Sequence, residues 1–396
     1  IDGGGGDDEL LGSGGDDTLI GSLGNDTLDG GSALDSLVGG TGNDLYVVNQ
    51  QADIVDETGG DGIDTVQSSV SWTLTTGFEN TILTGTATHA WGNPLGNVIT
   101  GNDVDNTFYA GGGDDTLLGG GGNDYMAGSV GVDSMDGGLG DDIFILDNAD
   151  ELALISDAGG IDEVRFSFDR FTIPDMVETV RLQGSAITAG GNDFDNSVIG
   201  NAVGNALWGY LGNDKLYGYG GADTLRAAEG EDTLFGGGAD DVLYGGSEAD
   251  LMRGDPGHDD LNGEDGDDNL GGGDGNDSLD GGAGRDILQG NAGVDLFYFD
   301  DGDFSGLGNL DADRILDFVP GEDRIMVVGV DAITGGADDR FTWIGTAAFS
   351  NTAGELRYGQ ANGTTLVEGD TDGDGQADIA IALTGTLTLS AADFSL

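Results

Sequence analysis

A nine-residue period constrains this chain more than any other property. Counted from Gly3, the sequence reads GGGGDDELL, GSGGDDTLI, GSLGNDTLD, GGSALDSLV and GGTGNDLYV, ending at Val47. Six further nonapeptides run from Gly92 to Ile145, and twelve run from Gly191 to Tyr298 without a slip of register. Composition alone points elsewhere, because 80 glycines in 396 residues and a formal net charge of -64 are marks of disorder. A disordered Gly/Asp-rich chain has no reason to hold one frame through twelve consecutive copies. The period decides for a folded repeat array.

Each position of the phrase has a physical reading. Glycines at positions one, two and four permit positive φ and let carbonyls converge without Cβ clashes. Position six is aspartate in nineteen copies: Asp8, Asp17, Asp26, Asp35, Asp44, Asp115, Asp124, Asp133, Asp142, Asp214, Asp223, Asp232, Asp241, Asp250, Asp259, Asp268, Asp277, Asp286 and Asp295. Position eight is nearly always Leu or another large apolar residue, so positions seven to nine predict a short strand with one side chain inward. Two turns and two strands make one coil of a parallel solenoid, and the expected class is all-β. Repeats eighteen residues apart then stack, with carboxylates and backbone carbonyls facing one another. Such an all-oxygen cage suits a hard cation, and Ca2+ over Mg2+. Charge demands one as well. Seventy-five acidic residues face eleven basic ones, with Lys215 the sole lysine, and internal pairing cannot neutralise that excess. Aspartates serving only as turn formers on a solvated face would need neither the frame nor this charge density.

On these repeats the chain resembles the RTX (repeats-in-toxin) family. The resemblance implies a right-handed parallel β-roll (β-solenoid), with each position-six aspartate bridging two successive calcium ions. Carbonyls of positions one to four would complete the shell. Pairing each Asp turn with the one eighteen residues on gives about thirteen calcium ions, which offset roughly 26 charges. Asn97, Asn106, Asn196 and Asn205 occupy position six where the second and third blocks open. An amide offers one neutral oxygen, so these turns are expected to be poor in metal and held by Asn hydrogen bonds. Leu95, Val104, Phe194 and Val203 make position four bulky in the same turns, and Ala227 and Ala228 replace both leading glycines of another.

The expected organisation is a roll block at 1–47, a β-rich spacer at 48–91, a second block at 92–145, a second spacer at 146–190, a third block at 191–298, and a C-terminal cap at 299–396. Each block closes with an aromatic at position eight, Tyr46, Phe144 or Phe297, read as a plug where the roll stops. The spacers resemble each other: GIDTV at 62–66 matches GIDEV at 160–164, and FENTILTG at 78–85 parallels VETVRLQG at 177–184. Their alternation predicts strands that cap or extend the roll. At position nine, Ile199, Tyr217 and Phe235 on one face and Trp208, Arg226 and Tyr244 on the other are expected to form outward ladders.

From residue 299 the composition changes. DRILDFVPGEDRI (313–325), FTWIGTAAFSNTAGELRY (341–358) and GDTDGDGQADIAIAL (369–383) resemble the C-terminal module of serralysin-type secreted proteases. That likeness implies a β-rich cap carrying an uncleaved signal for a type I secretion apparatus. Within it, Asp370, Asp372, Asp374 and Asp378, with Gly375 at the bend, are similar to the first half of an EF-hand loop lacking its twelfth-position Glu, a further candidate calcium site.

Catalysis is not expected. A zinc protease of the serralysin kind needs HExxHxxGxxH, and this chain has two histidines, His89 and His258, with His258 at position five of a turn. There is no G-x-S-x-G elbow and no cysteine, hence neither a lipase signature nor a disulfide or thiolate metal site. So few Lys and Arg exclude a nucleic-acid surface, and no apolar run reaches membrane-spanning length. Two classes stay open. One is a secreted structural protein of a matrix, surface layer, adhesin or filament, folding on extracellular calcium and meeting copies of itself head-to-tail or an extracellular polysaccharide. The other is the calcium-folding and secretion portion of a larger exoenzyme. Ile1 and Asp2 stand at positions eight and nine of a preceding repeat, so either more protein lies upstream or the open coil stacks on a second molecule.

Overall fold

The computed structural model describes residues 1–57, 60–169, 172–304, 312–333 and 339–396. Positions seven to nine open a strand in most repeats, and burial alternates along it. Thr116–Gly121 and Ser134–Leu139 are such strands, paired parallel with Leu117 opposite Met135, one eighteen-residue coil away. Position eight and the following position one face inward, while the residues between them are half-buried or exposed. The chain is therefore a parallel β-solenoid. Two short 3-10 helices, Ala149–Leu154 and Ala391–Asp393, are its only helical elements among the described residues. Among the described residues, no helix is long and apolar enough to cross a membrane.

The described residues fall into two compact units, 1–168 with 173–179, and 169–172 with 180–396. In the first, Leu10, Leu28, Tyr46, Val66, Thr81, Ile99, Leu117 and Met135 form one inward file along a nine-stranded parallel sheet. Trp72, Ala90, Phe108, Met126, Phe144 and Val164 form another. In the second unit, Leu207, Leu225, Leu243, Leu261, Leu279, Phe297 and Ile325 share one sheet. Val198, Leu216, Leu234, Met252, Leu270, Leu288 and Ile315 share another. The repeat leucines of these second-unit files are fully buried, each contributing about 1.5–3 kcal/mol.

The spacers extend the roll. Val66 pairs with Tyr46 on one side and Thr81 on the other, and Phe144 pairs with Val164. The closing aromatics are fully buried as expected, but the roll does not stop at them. Each is one rung of a file that continues past its block. The same holds after Tyr298: Asp313–Ile315 and Arg324–Gly329 add one more rung to each sheet of the second unit. The antiparallel strands Glu355–Ala361, Thr364–Asp370 and Ile379–Thr384 then make the β-rich cap.

Position nine forms the anticipated ladders, with less exposure than expected. Tyr217 stacks on Phe235 with ring centroids 5.4 Å apart, and the Arg226 guanidinium lies 3.8 Å from the Tyr244 ring centre. Ile199 is buried and the rings are half-buried, because neighbouring rungs cover one another.

Candidate metal centre

Within each block the position-six aspartates form two ladders of residues eighteen apart. The Asp8 amide donates to Asp26 Oδ1 at 2.8 Å, and the Asp26 amide donates to Asp44 Oδ1 at 2.7 Å. The same bond links Asp115 to Asp133, Asp124 to Asp142, and Asp214 to Asp232, and it recurs up to Asp277 and Asp295. Beyond Asp8 and Asp17 in the first coil, one oxygen of each carboxylate is thus fixed by the coil before it. In eighteen of the nineteen, Oδ2 is buried with no hydrogen-bond partner. An uncompensated buried carboxylate oxygen is among the costliest groups a fold can hold.

What surrounds Oδ2 is set by glycine. A Cβ placed on Gly21 would collide with Asp26 Oδ2 and stand 2.7 Å from the Gly39 carbonyl oxygen, one coil on. Gly12 faces Asp17 Oδ2 and the Gly30 carbonyl, and Gly245 faces Asp250 Oδ2 and the Gly263 carbonyl, in the same way. Position one therefore needs a small residue for space. Positive φ belongs to positions two and four, as at Gly4 (91°) and Gly6 (100°), which corrects the expectation that all three glycines serve φ. Ala110 and Ala227 show that position one accepts a methyl. Ala228 takes position two at φ 92°, so the turn geometry survives loss of both glycines.

Burial pushes the carboxyls of the second and third blocks up. Asp115, Asp124, Asp214, Asp223 and Asp259 rise to about 7, and Asp250 and Asp286 to about 8. Desolvation is the main cause, the bond from the preceding coil's amide opposes it, and neighbouring carboxylates add to it. Among the described residues, the ion pairs Arg165–Glu163, Arg285–Asp267 and Arg357–Glu368 leave position six untouched. Neutralisation must come from a proton or a cation. The donor set, carboxylate oxygens and glycine carbonyls with no nitrogen or sulfur ligand, fits a hard divalent cation of the calcium type.

The asparagine turns solve the same problem differently. Asn97 Oδ1 accepts from the Asn93 amide, while its Nδ2 donates to the Phe78 and Glu79 carbonyls. Asn106 and Asn205 donate through Nδ2 to the Ala87 and Ala186 carbonyls. An N–H here takes carbonyls that would otherwise converge unpaired. The Oδ1 of Asn196 accepts from the Asn192 amide.

The ladder also runs beyond the repeats, through residues outside the three nonapeptide blocks. Asp35 and Asp44 donate to Asp53 and Asp64, and Asp64 donates to Glu79. Asp142 donates to Asp162 and Asp162 to Glu178. Asp286 and Asp295 donate to Asp313 and Asp323. The signal was the recurring D-T-V, D-E-V and D-R-I, an Asp two places before an apolar residue, inside segments whose spacing departs from eighteen.

In the C-terminal loop, Asp370, Asp372 and Asp374 bring carboxylate oxygens within 4.8 Å of one another. Asp378 is turned elsewhere, its Oδ2 accepting from the Thr371 amide and hydroxyl. Both Asp370 oxygens accept backbone amides, from Gly373 and Gly375. His258 is exposed, and its Nδ1 accepts from the Asn276 amide.

Against known proteins, the family model described as RTX calcium-binding nonapeptide repeat (4 copies) matches residues 2–35, 11–46, 20–55, 91–126, 118–148, 190–225, 199–234, 235–270 and 271–303, more than half of the chain. The endo-1,3-1,4-beta-glycanase ExsH of Rhizobium meliloti (strain 1021) is 37% identical over 60 residues, which is 15% of this chain and 13% of that protein. The matched region is thus a small part of the relative. Two solved structures, the AlgE6R3 and AlgE6R2 subunits of the Azotobacter vinelandii mannuronan C5-epimerase, are 28% and 27% identical. Each covers 40% of this chain, with 78% and 89% of the subunit matched and a TM-score of 0.21.

Proposed function

Because the chain belongs to the RTX calcium-binding nonapeptide-repeat family, we propose that it is a secreted structural protein whose roll folds on extracellular calcium. The row of buried, unpartnered Oδ2 atoms carries this reading. The position-six aspartates would hold calcium between coils, with carbonyls of position one as neutral partners, and the bound ion supplies the positive charge that the side chains lack. The asparagine turns stay free of metal in this account. Asp370, Asp372 and Asp374 form a further candidate site, with Asp378 bracing its loop. No catalytic role is assigned to any residue. The serralysin-like C-terminal region would act as the export signal, and the charged chain would stay unfolded where calcium is scarce.

A second reading has one observation in its favour: the relative matched over 60 residues is an enzyme named for 1,3-1,4-beta-glycan. On that reading the roll is the calcium-folded portion of an exoenzyme. Light scattering of the calcium-loaded chain separates the two. Growth into long assemblies supports a building material, whereas a monomer that binds or cleaves 1,3-1,4-beta-glycan supports the exoenzyme portion.

A further inference from the structure

The first two repeat blocks end in an arrangement that their interiors lack. Inside a block, the position-one glycine faces its own aspartate's Oδ2 and a carbonyl from one coil on. At Gly39, the last position one of the first block, the nearest atoms are Asp44 Oδ2, the Tyr46 hydroxyl and Glu57 Oε1. Glu57 lies in the spacer, one coil length beyond Gly39 in sequence, so a carboxyl group stands where a backbone carbonyl stands elsewhere. At Gly137, the last position one of the second block, Asp142 Oδ2 is joined by Asp157 Oδ1. Both spacers thus place an acid at the same structural point.

Each cluster contains a third acid from its spacer. Asp44, Glu57 and Asp64 form one group and Asp142, Asp157 and Asp162 the other, with one oxygen of each residue within 4.8 Å of the others. Glu57 is 7% exposed, Asp44 and Asp64 are 2% each, and Asp162 is 1%. Asp44 Oδ2 and Glu57 Oε2 have no hydrogen-bond partner, and neither do Asp142 Oδ2, Asp157 Oδ1 and Asp162 Oδ2. The Tyr46 hydroxyl donates to Glu57 Oε1, while the Gly39 amide donates to that hydroxyl at 2.6 Å, which aims the carboxylate into the cluster. None of the ion pairs among the described residues reaches either group. At the end of the third block, Asp286 and Asp295 pass the ladder to Asp313 and Asp323 without a third acid grouped in this way among the described residues.

We propose that these two clusters are closing sites, each taking one calcium ion on three carboxylates, and that they fill before the interior sites. The proposal rests on the calcium-folded reading above and adds an order of filling to it. Ligand charge sets affinity in oxygen cages, and a third carboxylate in place of a carbonyl is expected to tighten binding about tenfold or more. Calcium held there would fix the spacer's return to the sheet at Thr65–Ser68 and Glu163–Phe166 before the interior turns are ordered.

The test is a calorimetric calcium titration of the full chain, of Glu57→Gln, of Asp157→Asn and of the double variant. Asp103→Asn, an exposed acid outside the ladder, controls for the change in charge. The wild type and the control should show two tight sites above a weaker class, each single variant one tight site, and the double variant none. A chain that folds on calcium but shows the same affinity classes in every variant overturns the closing sites and leaves the calcium-folded roll standing. A chain that neither binds calcium nor folds on it overturns both. Should Glu57→Gln fail to fold at saturating calcium, terbium(III) is read on folded protein instead. Tyrosine-sensitised emission at one terbium per chain should fall in Tyr46→Phe, a change Phe144 shows the core accepts. Equal emission from both proteins overturns the proposal.

Discussion

An oxygen atom with nothing to bind separates aspartate from asparagine at position six. Asp124 leaves Oδ2 unpartnered, whereas Asn106, one coil earlier on the same ladder, donates Nδ2 to the Ala87 carbonyl. Asn106→Asp replaces that donor with a second acceptor. With calcium just sufficient to fold the chain, the variant should lose about 1–3 kcal/mol of stability, and in saturating calcium it should regain it while binding one more ion. Thermal melts at limiting and at saturating calcium, read beside a calcium count, check both halves. Position one makes a complementary prediction. Gly21→Val would push a branched side chain into Asp26 Oδ2 and the Gly39 carbonyl, so calcium affinity should fall even where the fold persists. At this scale the sequence was a good guide, because a strict period repeats the same environment. It misled on φ at position one, since residue identity alone does not separate a glycine needed for its backbone angle from one needed for space.

Strands and spacers were less legible. The inward file from Tyr46 through Val66 and Thr81 to Ile99 is unbroken, yet the spacer that supplies Val66 and Thr81 carries no nonapeptide. Asp64 and Asp162 lie twenty residues after Asp44 and Asp142, and Asp313 and Asp323 lie twenty-seven and twenty-eight after Asp286 and Asp295. A frame of nine passes over Asp64, Asp162 and Asp323, although each occupies the position-six place in its coil, while Asp313 falls on the frame only beyond the end of the third block. Glu57 was invisible for another reason: its role comes from the fold carrying it back over Gly39. The closing aromatics test continuity of the file. Phe144 is fully buried between Met126 and Val164, so Phe144→Ala should cost about 3–5 kcal/mol. Because the file runs on, both the second block and its spacer should loosen together, which hydrogen exchange at Tyr125–Val130 and Glu163–Phe166 would show.

For the whole molecule, charge decides. Without metal, the aspartates that burial raises to about 6–8 favour their protonated form in the fold over the unfolded chain, where 3.8 is the reference. Folded values raised in this way contribute stability that is complete below pH 3.8 and lost as pH rises through 6–8. In chelator the chain should therefore gain β structure on acidification and lose it towards neutrality, as followed by circular dichroism. With calcium the dependence reverses, because protons compete for the same oxygens, and affinity should weaken as pH falls below about 6.

The most direct measurement is sedimentation velocity with circular dichroism on the purified chain at neutral pH, in chelator and in millimolar calcium. The account predicts a slow, expanded chain with little β signal in chelator, converting to a faster, compact β species when calcium is added. A compact β fold that is indifferent to calcium would contradict it.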